Sequence, residues 1–86
     1  MTMFGLHGRI DATAGNGDDL AGYLLADVEV LREHGCLLYL VSRRADAPDA
    51  VYVHEIWTDA QAHQASLELP SVQDAIAKAR PIIAGM

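Results

Sequence analysis

The sequence predicts an α+β domain, ferredoxin-like in order, with two helices on one face of an antiparallel sheet. Three observations carry that prediction. Phe4, Leu6 and Ile10 alternate with Gly5, His7 and Arg9, and Val51 to Trp57 keeps the same two-residue rhythm, as half-buried strands do. Leu20, Tyr23, Leu24, Val28 and Leu31 recur at spacings of three and four, which puts them on one stripe of a helix. The order of these stretches is strand, helix, strand, strand, broken helix, a strand-helix-strand unit followed by most of a second one.

The chain has 86 residues, too few to close two separate cores, so residues 1–86 are read as a single domain. A chain this short buries only about 60–65% of its unfolded surface, which makes a partner subunit a natural supplement. The net charge is −6, with 6 basic residues against 12 acidic ones, and no basic patch offers a footprint for a phosphate backbone. Nucleic acid is excluded as a partner on that ground. The longest apolar run, Cys36 to Val41, falls far below the roughly 20 residues that cross a membrane as a helix. The first residues lack the pattern of a secretory signal, and the single cysteine has no intramolecular partner. A cytoplasmic location is expected.

Phe4 to Ala12 reads as the first strand. Ala14 to Asp19 strings together turn-forming residues and ends on carboxylates suited to a helix amino terminus. One helix is expected from about Asp18 to His34, closed by Arg32 and His34 in its last turn and by Gly35 in a left-handed cap. Cys36 to Ser42 is apolar on both faces and too short for a buried helix, so it reads as a strand covered on both sides. Arg43 to Ala50, polar and with Pro48 near its centre, is expected to turn the chain back into Val51–Trp57 as an antiparallel neighbour. Thr58 or Asp59 caps the next helix, with Gln61 in capping-box spacing from Thr58. Pro70 interrupts that helix, Ser71 to Asp74 reads as a second capping box, and Pro81 ends the restarted piece.

The final strand of the second unit is expected to be missing, since the chain stops at Met86 just where such a strand would be approached. What remains is a sheet with an apolar helix-free face and an open edge on the first strand. Both favour association, and a homodimer packed sheet to sheet is the simplest cover.

Glu33-His34-Gly35-Cys36-Leu37-Leu38-Tyr39, the Asp46–Asp49 turn, Glu55-Ile56-Trp57 and the helix with Ser66-Leu67-Glu68-Leu69-Pro70-Ser71 resemble the antibiotic biosynthesis monooxygenase family over nearly the whole chain. The resemblance implies a dimeric α/β barrel of two ferredoxin-like subunits, each with a pocket between helices and sheet. It implies oxygenation of an aromatic quinol or an anthrone-like, polyketide-like substrate through a substrate anion that reacts with oxygen directly, with no metal and no flavin. Many relatives carry a His nine residues after the Trp and another past the Pro, where this chain has Ser66 and Ser71. Haem-degrading relatives use such a helix His as an iron ligand, so the likeness points away from haem.

Glu55 and Trp57, two apart on a strand, share a face. A carboxyl group beside an indole in an enclosed pocket suits proton abstraction, and the competing reading has Trp57 as packing and Glu55 paired with Arg43 or Arg9. His63 is the candidate second proton acceptor, with Asp59 one turn earlier to orient its ring, or else a partly exposed helix residue. Trp57, Tyr39, Ser66 and His7 are the candidate substrate contacts. The 4 histidines show no metal-ligand spacing, and Cys36 has no basic neighbour to make it nucleophilic. A homodimeric protein that binds a small apolar or aromatic molecule without transforming it is the alternative to an enzyme.

Overall fold

In the computed structural model, which describes residues 2–86, the chain runs through β1 (Phe4–Ala12), α1 (Gly17–Leu25), α2 (Val28–Glu33), β2 (Cys36–Arg44), β3 (Ala47–Trp57), α3 (Ala60–Ser66) and α4 (Pro70–Ala79). A 3-10 turn at Arg80–Ile82 then leads into β4 (Ile83–Gly85). The four strands form one antiparallel sheet in the order β2-β3-β1-β4, the ferredoxin-like arrangement expected from the element order.

Four local expectations are corrected. The final strand is present: β4 pairs with Asp11 and Ala12 beside an irregularity in β1, and Thr13 donates to the Ile82 carbonyl at 2.8 Å. Three residues directly after a 3-10 turn are too few to display an alternation, which is why the pattern hides it. The expected helix over 18–34 is two helices separated at Ala26–Asp27, with no proline or glycine to mark the break. Asp27, of a residue type that favours helix starts over helix interiors, becomes the N-cap position of α2. Ser71 is not a cap; Pro70 occupies the first turn of α4, where its fixed φ fits and its missing N–H costs nothing. The β2–β3 turn shrinks to Ala45 and Asp46, and Pro48 to Ala50 are taken up in a register shift at the start of β3.

Asp49 anchors that shift. Its carboxylate accepts the Gly17 N–H at 2.9 Å and the Gly15 N–H at 3.0 Å, which ties the entry of α1 to the start of β3. Gly17 is required there, since a Cβ would lie 2.2 Å from the Pro48 carbonyl oxygen. Gly35 does take the expected left-handed conformation, at φ 103°. Asp59 caps α3 by accepting the Ala62 N–H at 2.7 Å.

Register decides what each face holds. Tyr39, Glu55 and Leu6 form one cross-strand row toward the helices, and Cys36, Trp57 and Phe4 the next. Their alternates, Leu40, His54 and His7, then Leu38, Ile56 and Gly5, lie on the helix-free face. Leu38 and Leu40 are exposed there, so β2 is not covered on both sides within one chain. On the helix side the interior consists of two packed clusters, one around Leu20, Val51 and Ala79, the other around Leu31, Cys36 and Trp57.

Candidate active site

Between these two clusters lies a cavity of about 520 Å³. The sheet supplies its floor through Ile10, Tyr39, Glu55 and Trp57, α1 supplies Leu20, Tyr23 and Leu24, and α4 supplies Val72, Ile76 and Ala79. Most of the lining is apolar, which favours the burial of a ring system over a polar metabolite.

The polar groups gather beside Trp57. The indole, 1% exposed, donates its Nε1–H to Glu55 Oε1 at 3.0 Å. His63 Nε2 stands 4.0 Å from the same oxygen, and both side chains are 19% exposed. The His63 ring also meets Trp57 edge-on at 5.4 Å between centroids and Phe4 at 5.7 Å. One carboxylate, one imidazole and one indole N–H are thus brought together by β3 and α3, which are held in place by the Asp59 cap between them. Glu55 pairs with neither Arg9 nor Arg43, whose partners are Asp11 and Asp18. Asp59 caps α3 through its Oδ1 at the Ala62 N–H, and the carboxylate that the His63 ring approaches is Glu55.

Tyr39 sits across the sheet from Glu55. Burial pushes its phenol well above the ordinary tyrosine value, and the neighbouring charge of Glu55 adds to that, followed by Cys36 and Asp27. A phenol held protonated in this way serves as a hydrogen-bond donor throughout the physiological range. Cys36 is raised chiefly by burial and donates its thiol to the Leu38 carbonyl, consistent with a core residue.

Of the six expected site residues, Glu55, His63, Trp57, Tyr39 and Ser66 all line the cavity. Ser66, 2% exposed, gives its hydroxyl proton to the His63 carbonyl at 2.6 Å, within its own helix turn. His7 lies on the opposite face, edge-on to His54 at 5.7 Å, and reaches only a smaller recess of about 230 Å³ at the β1 side. Sequence reasoning passed over Asp27 and Arg80, which also line the cavity. Their only sequence signals are a carboxylate inside an apparently continuous helix and a cation just before Pro81. Among the described residues no three His, Cys, Asp or Glu side chains gather to hold a metal ion, and no helix is long and apolar enough to cross a membrane.

Fold and site together define a ferredoxin-like ligand-pocket domain with an acid and an imidazole in an apolar wall. The sequence pattern of the family described as antibiotic biosynthesis monooxygenase matches residues 3–78, and the chain belongs to that family. A solved structure from Chloroflexus aurantiacus, named as a candidate antibiotic biosynthesis monooxygenase, is 44% identical with a TM-score of 0.91, over 98% of this chain and 84% of that one. One from Deinococcus radiodurans, similarly named, is 30% identical with a TM-score of 0.76, over 94% and 80% of the two chains. A third, from Nitrosomonas europaea, is 12% identical with a TM-score of 0.88 over 98% and 82%, a likeness of fold alone. No curated protein matches the sequence.

Proposed function

We propose that this chain is a small oxygenase that oxidises an aromatic quinol or an anthrone-like, polyketide-like substrate with molecular oxygen. The observation that carries the reading is the Glu55–His63–Trp57 cluster in the wall of an otherwise apolar cavity of about 520 Å³. That volume lies within the range of pockets that enclose a small organic ligand.

In the anthrone case, a methylene between two aryl rings loses a proton to Glu55, and His63 stabilises or relays it. Tyr39 donates a hydrogen bond to the ring oxygen on which the negative charge develops. The carbanion then forms a C–O bond with oxygen, the peroxide takes up a proton, and loss of water leaves a carbonyl. The balance is CH₂ plus O₂ giving C=O plus H₂O, with the electrons supplied by the substrate, so the scheme calls for neither metal nor flavin. Trp57 and Tyr39 form the walls against which the rings lie, with Ser66 in the adjoining surface.

The assembly we propose is a homodimer that covers the helix-free sheet face. Members of this family are typically dimeric. Leu38 and Leu40 are exposed on that face, and its charged residues Arg9 and Asp11 are bonded to each other at 2.7 Å. A surface with no net charge approaches its own copy without repulsion, although the whole chain carries −6.

Oxygen uptake with a panel of anthrones and quinols, without added metal or flavin, tests the reading. The expected result is consumption above the rate without protein, lowered by about 10²-fold or more in Glu55→Gln, the usual scale for a general base. If no substrate consumes oxygen faster with the protein than without it, the non-catalytic ligand-binding reading takes its place.

A further inference from the structure

Five of the 6 basic side chains are engaged by carboxylates of their own chain: Arg9 with Asp11, Arg32 with Glu29, Arg43 with Asp18, Arg44 with Asp46, and Lys78 with Asp74. Among the described residues Arg80 alone has neither a carboxylate partner nor a side-chain hydrogen bond. It is also the only arginine or lysine that lines the cavity. It stands where α4 passes into the 3-10 turn, next to the exposed end formed with Ile83 and Met86. The acidic side chains of the lining are Asp27 and Glu55, both of which act on Tyr39. An anionic group inside the cavity is therefore repelled by two carboxylates and attracted by one guanidinium. The planar fork of arginine fits a carboxylate through two parallel N–H···O bonds.

We propose that the ligand of this cavity is an aromatic acid. Its rings fill the apolar interior, and its carboxylate is held at the mouth by Arg80. The substituent opposite that carboxylate is thereby directed to Glu55 and His63. Arg80 acts as a binding and orienting residue rather than a catalytic one. The proposal rests on the assignment of the cavity as a ligand site and adds to it the class of ligand.

Calorimetric titration with a matched pair, 1,4-dihydroxy-2-naphthoic acid and 1,4-dihydroxynaphthalene, kept free of oxygen, tests this. Fluorescence of Trp57, the only tryptophan, checks that binding occurs in the cavity it lines. The wild-type protein is expected to bind the acid about tenfold more tightly than the neutral quinol, as one charge-assisted contact allows. Arg80→Gln removes that preference by weakening the acid while leaving the neutral quinol unchanged, and Arg80→Lys restores part of it. Arg80 is exposed at a helix end, so thermal unfolding of both variants should match wild type. Equal binding of the two probes by wild type, or a preference that survives Arg80→Gln, overturns the aromatic-acid proposal and leaves the cavity assignment standing. Failure of both probes to bind overturns the two together.

Discussion

The two faces of the sheet are built from alternate residues of the same strands, and they leave apolar surface unfilled in different ways. Toward the helices, Val51, Val53, Glu55 and Trp57 of β3 sit under a roof that stops short of filling the space, so the unfilled part is a concave cavity. Away from the helices, Tyr52, His54 and Ile56 share a flat surface with Leu38 and Leu40, which stay exposed among the described residues. A concavity with a few convergent polar groups suits a small molecule, whereas a flat, charge-balanced surface suits another protein surface. The cavity side carries the carboxylate and imidazole of the proposed chemistry, and the flat side carries Arg9 and Asp11, already paired with each other. A one-residue slip of β3 would exchange these roles and abolish both.

Substitutions on either side should break this contrast in opposite senses. Leu20→Ala, on the roof at a fully buried position, should lower stability by about 3 kcal/mol in urea unfolding, because it enlarges a space that is already unfilled. Leu40→Asp, on the flat face, should leave the fold of the single chain nearly unchanged yet raise the dimer dissociation constant by about 100-fold, since a buried unpaired charge costs several kcal/mol. Sedimentation over a concentration series checks it, and a wild-type protein that is already monomeric at micromolar concentration would remove the flat face from the account. On stability, as distinct from turnover, Tyr39→Phe gives the smallest effect, and only in alkali. The folded Tyr39 keeps its proton above the unfolded value of about 10, so the unfolded chain loses that proton first. Its influence on stability is therefore flat below about pH 10 and falls as pH rises above it. The Phe variant should show a shallower loss in alkaline unfolding curves, and identical slopes would mean that Tyr39 is not held protonated.

β1 and β3 and their faces were legible because a two-residue period survives any register: it put Glu55 beside Trp57 before any contact was known. The start of α3 was legible through Asp59, a carboxylate with the right neighbours to cap. What escaped depends on tertiary placement. The approach of His63 to Glu55 joins two elements through the angle at which α3 leaves β3, and no spacing encodes that angle. The hydroxyl of Ser66 could reach either the cavity or its own helix, and the His63 carbonyl at 2.6 Å takes it. The break at Ala26–Asp27 was hidden because the apolar stripe continues across it, from Leu24 to Val28 and Leu31. Arg80 gained meaning only when every other basic side chain was seen to have a partner.

Gly17 makes a last point about design. Its lack of a side chain lets α1 descend until its backbone nearly touches Pro48, and Asp49 fastens it there. Leu20, Tyr23 and Leu24 hang from that same helix over the cavity. Gly17 thus works as the fulcrum of a ceiling: a single methyl group inserted at it would tilt the helix and resize the chamber without touching any residue of its wall.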